Sequence, residues 1–158
     1  MRIREIQFND NSQIETVIKS IFIELKLPLT GTVYEDEETT QMFESYQEEK
    51  AVYFVIEYEG QVKGGAGIKV LDREDPSICE LQKMYITADL RGKGYSKQLL
   101  DCCLEAAKSM GYTQCYLETL SELKTAQKLY HQYGFKYLET SKGNTGHSSC
   151  GIRMIKPL

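Results

Sequence analysis

The chain has 158 residues, 27% charged and 41% hydrophobic, with a formal net charge of -4. That size and mixture predict one folded domain over residues 1–158, and the negative balance gives no electrostatic footprint for a nucleic acid partner. No apolar run nears the roughly 18 residues that cross a membrane, so a membrane partner is not expected either.

The opening "MRIREIQFND" lacks the apolar core of a secretion signal, which makes the cytoplasm the expected location. Within it "RIREIQF" alternates around Ile3, Ile6 and Phe8 and predicts a first strand. Asn9, Asp10, Asn11 and Ser12 offer helix caps, and Ile14, Val17, Ile18, Ile21, Phe22 and Leu25 then recur at helical spacing to about Lys26. "LPLTGT" breaks that helix. "YEDEETTQMFESYQEEK" predicts a short helix with Met42, Phe43 and Tyr46 on one side and the acidic run solvated. "AVYFVIEY" and "QVKGGAGIKVL" predict a hairpin turning at Glu59 and Gly60, with a bulge or close backbone approach at Gly64, Gly65 and Gly67. "ICELQKMYI" is a strand of mixed polarity, followed by the turn "DLRGKGYSKQLL". The helix after it buries Leu99, Leu100, Cys103, Leu104 and Ala107 and ends at Gly111. "TQCYLETL" is a strand, "SELKTAQKLYHQYG" a helix, "FKYLET" a strand, "KGNTGH" a loop and "SSCGIRMIK" a last strand. The order predicts a mixed α/β sheet with packed helices, and the middle strand–helix–strand portion is long enough for a parallel crossover. The 5 cysteines are odd in number and form no CxxC pair, which predicts small buried thiols and neither disulfides nor a metal site.

The glycine turn carries the chemistry. A strand runs into it and a helix runs out, so backbone N–H groups point outward at the positive end of the helix dipole. The P-loop pattern GxxxxGK[ST] is absent. The dinucleotide pattern GxGxxG fails at Lys97, and no acidic residue stands at the required distance. The residues 91–96, Arg-Gly-Lys-Gly-Tyr-Ser, resemble the coenzyme A pyrophosphate loop R/Q-x-x-G-x-G/A, with Ser96 at its last place. The plainer alternative is a tight turn with a solvated Arg91 and Lys93.

"ELQKMYITADLRGKGYSKQLL" and then "YLETLSELKTAQKLYHQYGF", ending in an LYxxxGF-like stretch, together resemble the GNAT family of acetyl-CoA-dependent N-acetyltransferases over about residues 79–136. The resemblance implies an α/β fold: a mixed, mostly antiparallel sheet of about seven strands, helices on both faces, and a splayed parallel pair holding the coenzyme. It implies acetyl-CoA as cosubstrate, with the backbone of Met84, Tyr85 and Ile86 on the pantetheine arm. The turn Arg91, Gly92, Lys93, Gly94, Tyr95, Ser96 and Lys97 would lie on the pyrophosphate. Tyr130 matches the tyrosine that faces the coenzyme sulfur, and a phenol with pKa near 10 can protonate a leaving thiolate. For the base, Glu80 and Gln82 share one strand face, only Glu80 can accept a proton, and Glu118 is the runner-up. A backbone N–H of "KMYI" would meet the oxyanion. Leu123 stands where many relatives carry a coenzyme-contacting asparagine. His147 lies in a loop on the acceptor side, while His131 reads as a surface residue. The expected acceptor is a small-molecule amine or amino acid, ahead of a protein amine, and a homodimer is left open. The competing class is a non-catalytic acyl-CoA-binding sensor or partner domain of the same fold.

Overall fold

A computed structural model describes residues 1–158. Strand β1 (Arg2–Glu5) leads to helix α1 (Asn11–Glu24), whose periodic residues Ile14, Val17, Ile18, Ile21 and Phe22 are all buried. Lys26 adopts a left-handed conformation just past its end, and the Leu27 N–H reaches back to the Phe22 carbonyl at 2.9 Å. The chain thus leaves the helix in the manner usually entrusted to glycine. The acidic segment forms two 3-10 turns, Val33–Glu35 and Glu37–Thr40, and then the single-turn helix α2 (Met42–Ser45).

Strands β2 (Val52–Tyr58), β3 (Gln61–Val70) and β4 (Ile78–Ile86) follow as an antiparallel meander. Helix α3 (Tyr95–Ser109) crosses to β5 (Gln114–Thr119), and α4 (Lys124–Gln132) leads to β6 (Lys136–Leu138) and β7 (Ile152–Pro157). All seven strands form one sheet in the order β1-β2-β3-β4-β5-β7-β6. Every pairing is antiparallel except β4 with β5.

Two core layers sandwich this sheet. On one face Ile56, Ile68, Cys79, Leu81, Cys115, Leu117 and Met154 pack against Leu99, Leu100, Cys103 and Ala107 of α3, with Tyr130 and Phe135. On the other, Tyr53 and Val55 pack against α1. Four of the five cysteines are buried, as small apolar groups. The glycines of β3 are needed for close approach: a Cβ on Gly65 or Gly67 would lie 2.5 Å from the Tyr53 ring.

The parallel pair is short. Ile78, Cys79 and Glu80 pair with Gln114, Cys115 and Tyr116, and pairing then stops. Both strands continue, β4 held by β3 and β5 by β7, with a gap between residues 81–86 and 117–119. No helix is long and apolar enough to cross a membrane.

Candidate active site

The gap opens where β4 is bulged. Gly65 pairs with Tyr85 and Gly67 with Gln82, so one residue of β3 opposes two of β4. Lys83 sits in the bulge with φ +51. Its carbonyl accepts from the Tyr53 hydroxyl at 2.8 Å. The bulge re-aims β4, which lets Lys83 join the Glu80 side of the cleft instead of following strict alternation.

Glu80 stands at the apex, in the last residue pair before the strands part. It is 4% exposed. The Tyr46 hydroxyl donates to Gln82 Oε1 at 2.8 Å, and Gln82 Nε2 donates to Glu80 Oε2 at 2.7 Å. Burial pushes the Glu80 carboxyl up to about 7, against the Gln82 hydrogen bond and the pull of His147 and Lys83, with Glu118 adding to the rise. Glu118 lines the same cleft from β5. Its two oxygens accept from the Tyr116 hydroxyl at 2.6 Å and from Thr145 Oγ1 at 2.9 Å.

A charged network surrounds Lys83 and His147, which line the cleft. Lys83, whose side chain is 1% exposed, approaches Asp36 Oδ2 at 3.4 Å and Glu38 Oε2 at 3.2 Å. Lys69 bonds Glu38 Oε1 at 3.1 Å, and His147 Nε2 meets Asp36 Oδ2 at 2.7 Å. Burial alone would raise both carboxyls. His147 and Lys83 outweigh it at Asp36, and Lys83 and Lys69 at Glu38, so both lie below the usual carboxylate range. The acidic run is therefore not a uniformly solvated face, contrary to the reading of the sequence. Two of its members are ion-paired to the buried lysines, because the 3-10 turns fold them over Lys69 and Lys83.

Tyr130 projects from α4 into the opposite wall of the gap. Its hydroxyl lies 3.7 Å from Met84 Sδ, and its ring packs edge-on to Phe135 at 5.8 Å. Burial, and then the nearby Cys103 and Cys115 thiols, push the phenol above its ordinary value, so it holds its proton firmly.

The glycine turn leaves a row of open donors. Gly92 and Gly94 have φ +74 and +85, and Gly94 directly precedes α3. None of the backbone N–H groups of residues 92–97 has an acceptor within the protein. Six successive free amides at a helix start make a concave anion site that fits a pyrophosphate. Arg91 is differently employed. Its backbone N–H bonds the Ala88 carbonyl, Nε bonds the Ile86 carbonyl at 2.9 Å, and the two Nη atoms grip Glu24 at 2.8 and 2.9 Å. The guanidinium braces the turn against α1, which its place in the motif did not reveal.

One cleft thus brings together Glu80, Met84, Tyr85, Glu118, Leu123, Tyr130 and His147. Leu123 lines it as an apolar residue and makes no side-chain cap for α4. The Ile86 side chain lies in the core, and the turn of residues 92–97 extends from the far end of β4. His131 is exposed and stacks on Tyr137. Sequence reasoning missed Asp36, Lys69 and Lys83. The one hint was the glycine cluster of β3, which foretold a bulge but not the residue it would turn inward.

The profile of the Acetyltransferase (GNAT) family matches residues 18–135. The chain is 39% identical over 156 residues to the uncharacterized N-acetyltransferase YjgM of Escherichia coli (strain K12), covering 98% of this chain and 93% of that one. The fold matches a GNAT acetyltransferase of Staphylococcus aureus Mu50 with a TM-score of 0.87 at 18% identity, over 99% of this chain and 98% of that one. It also matches yncA of Salmonella typhimurium, solved with its cofactor acetyl-CoA, with a TM-score of 0.78 at 20% identity, over 99% of this chain and 93% of that one. With a family profile over most of its length, a near full-length relative and a sheet that splays at its one parallel pair, as the resemblance implied, this chain belongs to the GNAT family of acetyltransferases.

Proposed function

We propose that this N-acetyltransferase takes acetyl-CoA into the β4–β5 gap and transfers its acetyl group directly to a primary amine of a small molecule or amino acid. The observation that carries the reading is the gap itself. It has a buried carboxylate at its apex, a buried phenol on its wall, and six free amides in the turn beyond. The coenzyme supplies the activated acetyl group, and the free edges of the parted strands supply partners for its amide-rich arm.

Glu80 accepts the amine proton, directly or through water. A carboxyl near 7 suits a general base, since it is basic enough to take a proton and still half ionised at neutral pH. Tyr130 keeps its proton until negative charge develops on sulfur, and then donates it. A backbone N–H of residues 83–86 meets the developing oxyanion. Lys83, tied to Asp36 and Glu38, holds the acceptor wall in place.

The test measures acetyl-CoA binding by calorimetry and thiol release across a panel of amines. Binding with amine-dependent thiol release is expected. Binding with no release from any amine would replace the enzyme reading with a sensor that keeps the fold.

A further inference from the structure

Past Glu118 the cleft continues into a second, polar pocket of about 390 Å³. Glu118, His147 and Cys150 belong to both, so the pocket is an extension of the reaction cleft. Its other walls include Asn144, Thr145 and Arg153.

Arg153 is oddly placed for an arginine of this chain. Arg2, Arg4, Arg73 and Arg91 each have a carboxylate within ion-pair distance. Arg153, partly buried, has none. Its Nε is buried without a partner, and Nη1 makes one long bond, 3.5 Å, to the Glu139 carbonyl. Glu118 lies directly opposite on the neighbouring strand, yet its oxygens are taken by Tyr116 and Thr145. A half-buried guanidinium normally satisfies its fork of donors on an oxyanion. Here that oxyanion is missing from the protein, and the guanidinium borders a pocket that opens on the reaction cleft.

We propose that Arg153 binds a carboxylate of the acceptor. The acceptor is then an amine that carries a carboxylate, as an amino acid does. Its ammonium group lies toward Glu118 and Glu80, and its carboxylate on Arg153. Directly opposed residues of an antiparallel pair have Cβ atoms about 5 Å apart, a spacing that suits the two charges of one small zwitterion. This inference rests on the acetyl-transfer reading and narrows its substrate.

The experiment compares the standard amino acids with their methyl esters and with matched aminoalkyl phosphonates, by thiol release in the wild-type protein. The best acid should exceed its ester in kcat/KM by about 10- to 100-fold, the range of one charge-assisted hydrogen-bonded contact. Arg153→Gln should raise KM for the acid by a similar factor, leave the ester unchanged, and leave the acetyl-CoA Kd unchanged. Arg153→Lys should recover part of the loss. Esters used as well as acids would overturn the inference, as would phosphonates preferred over both, or an acid-to-ester ratio unmoved by Arg153→Gln. The wild-type comparison needs no variant, so it decides even if Arg153→Gln unfolds. Calorimetry with acetyl-CoA, and separately with the acid and the ester, distinguishes the two readings. Absent acetyl-CoA binding strikes the transfer reading, whereas equal binding of acid and ester strikes the role of Arg153.

Discussion

Glu80→Gln should make the protein slower and, above neutral pH, more stable. The native carboxyl titrates at about 7, against an ordinary value of 4.5, chiefly because it is buried. Between those values the folded state keeps a proton that the unfolded chain has lost. Stability contributed by this group therefore falls as pH rises through that window. The full gap, at 1.36 kcal/mol per pKa unit, is about 3 kcal/mol by pH 8. At pH 5 less than 1 kcal/mol of it has been lost, because the unfolded carboxyl is then only partly ahead of the folded one in ionising. Glutamine resembles the protonated acid and can still accept the hydrogen bond from Gln82 Nε2. Comparing the two proteins cancels every other titrating group that the substitution leaves alone. Urea unfolding at pH 5 and pH 8 should show the Gln variant gaining about 2–3 kcal/mol on wild type between the two. Turnover by the same variant should fall by about 10²–10⁴-fold near neutral pH and less at high pH, where the free amine forms unaided. A stability difference that is the same at both pH values would refute the buried, proton-holding carboxyl. Unchanged turnover would move the base to Glu118 or water.

Tyr130→Phe removes a hydroxyl whose only hydrogen bond is a long one to Met84 Sδ, so folding should survive. We expect kcat to drop about 10²-fold with acetyl-CoA Kd unchanged, and a collapse of affinity with kcat intact would make Tyr130 a binding residue. Gly94→Ala and Gly111→Ala place a Cβ in open space at nearly the same φ, +85 and +86, so each should cost about 1 kcal/mol of backbone strain in thermal unfolding. Only Gly94→Ala should weaken acetyl-CoA binding, and equal effects on binding would remove the coenzyme from the turn. Lys83→Met strips Asp36 and Glu38 of a shared cation, and a loss of about 1–3 kcal/mol is expected at pH 7 because their side chains are only part-buried. Both carboxyls are held below their ordinary values of 3.8 and 4.5, so that loss should be full above those values and shrink as pH falls below them and the native carboxyls protonate. A pH-independent loss would make Lys83 a packing residue only.

The sequence by itself determined the order of strands and helices, the glycine turn before α3 and the closing LYxxxGF-like helix end. These are local properties. A strand shows in two-residue alternation, α1 and α3 in periodic apolar residues, and the turn in glycines whose positive φ excludes most other residues. Glu80 and Tyr130 were legible through motif position, and the fold does place them on one cleft. The boundaries were less legible: the predicted strand "FKYLET" shrinks to Lys136–Leu138, because only those residues find partners in β7. The charged network beside the cleft was decided by tertiary structure alone. Lys83 reads as one polar residue of a mixed strand until a bulge, opposite glycines about 17 residues earlier, turns it toward the cleft. Asp36 and Glu38 read as members of an acidic run, and His147 as a loop histidine. They become a network only when segments 31–111 residues apart are folded against one another. Arg153 is the extreme case. It has no carboxylate partner in the protein, and that absence cannot be seen until every neighbour has been placed.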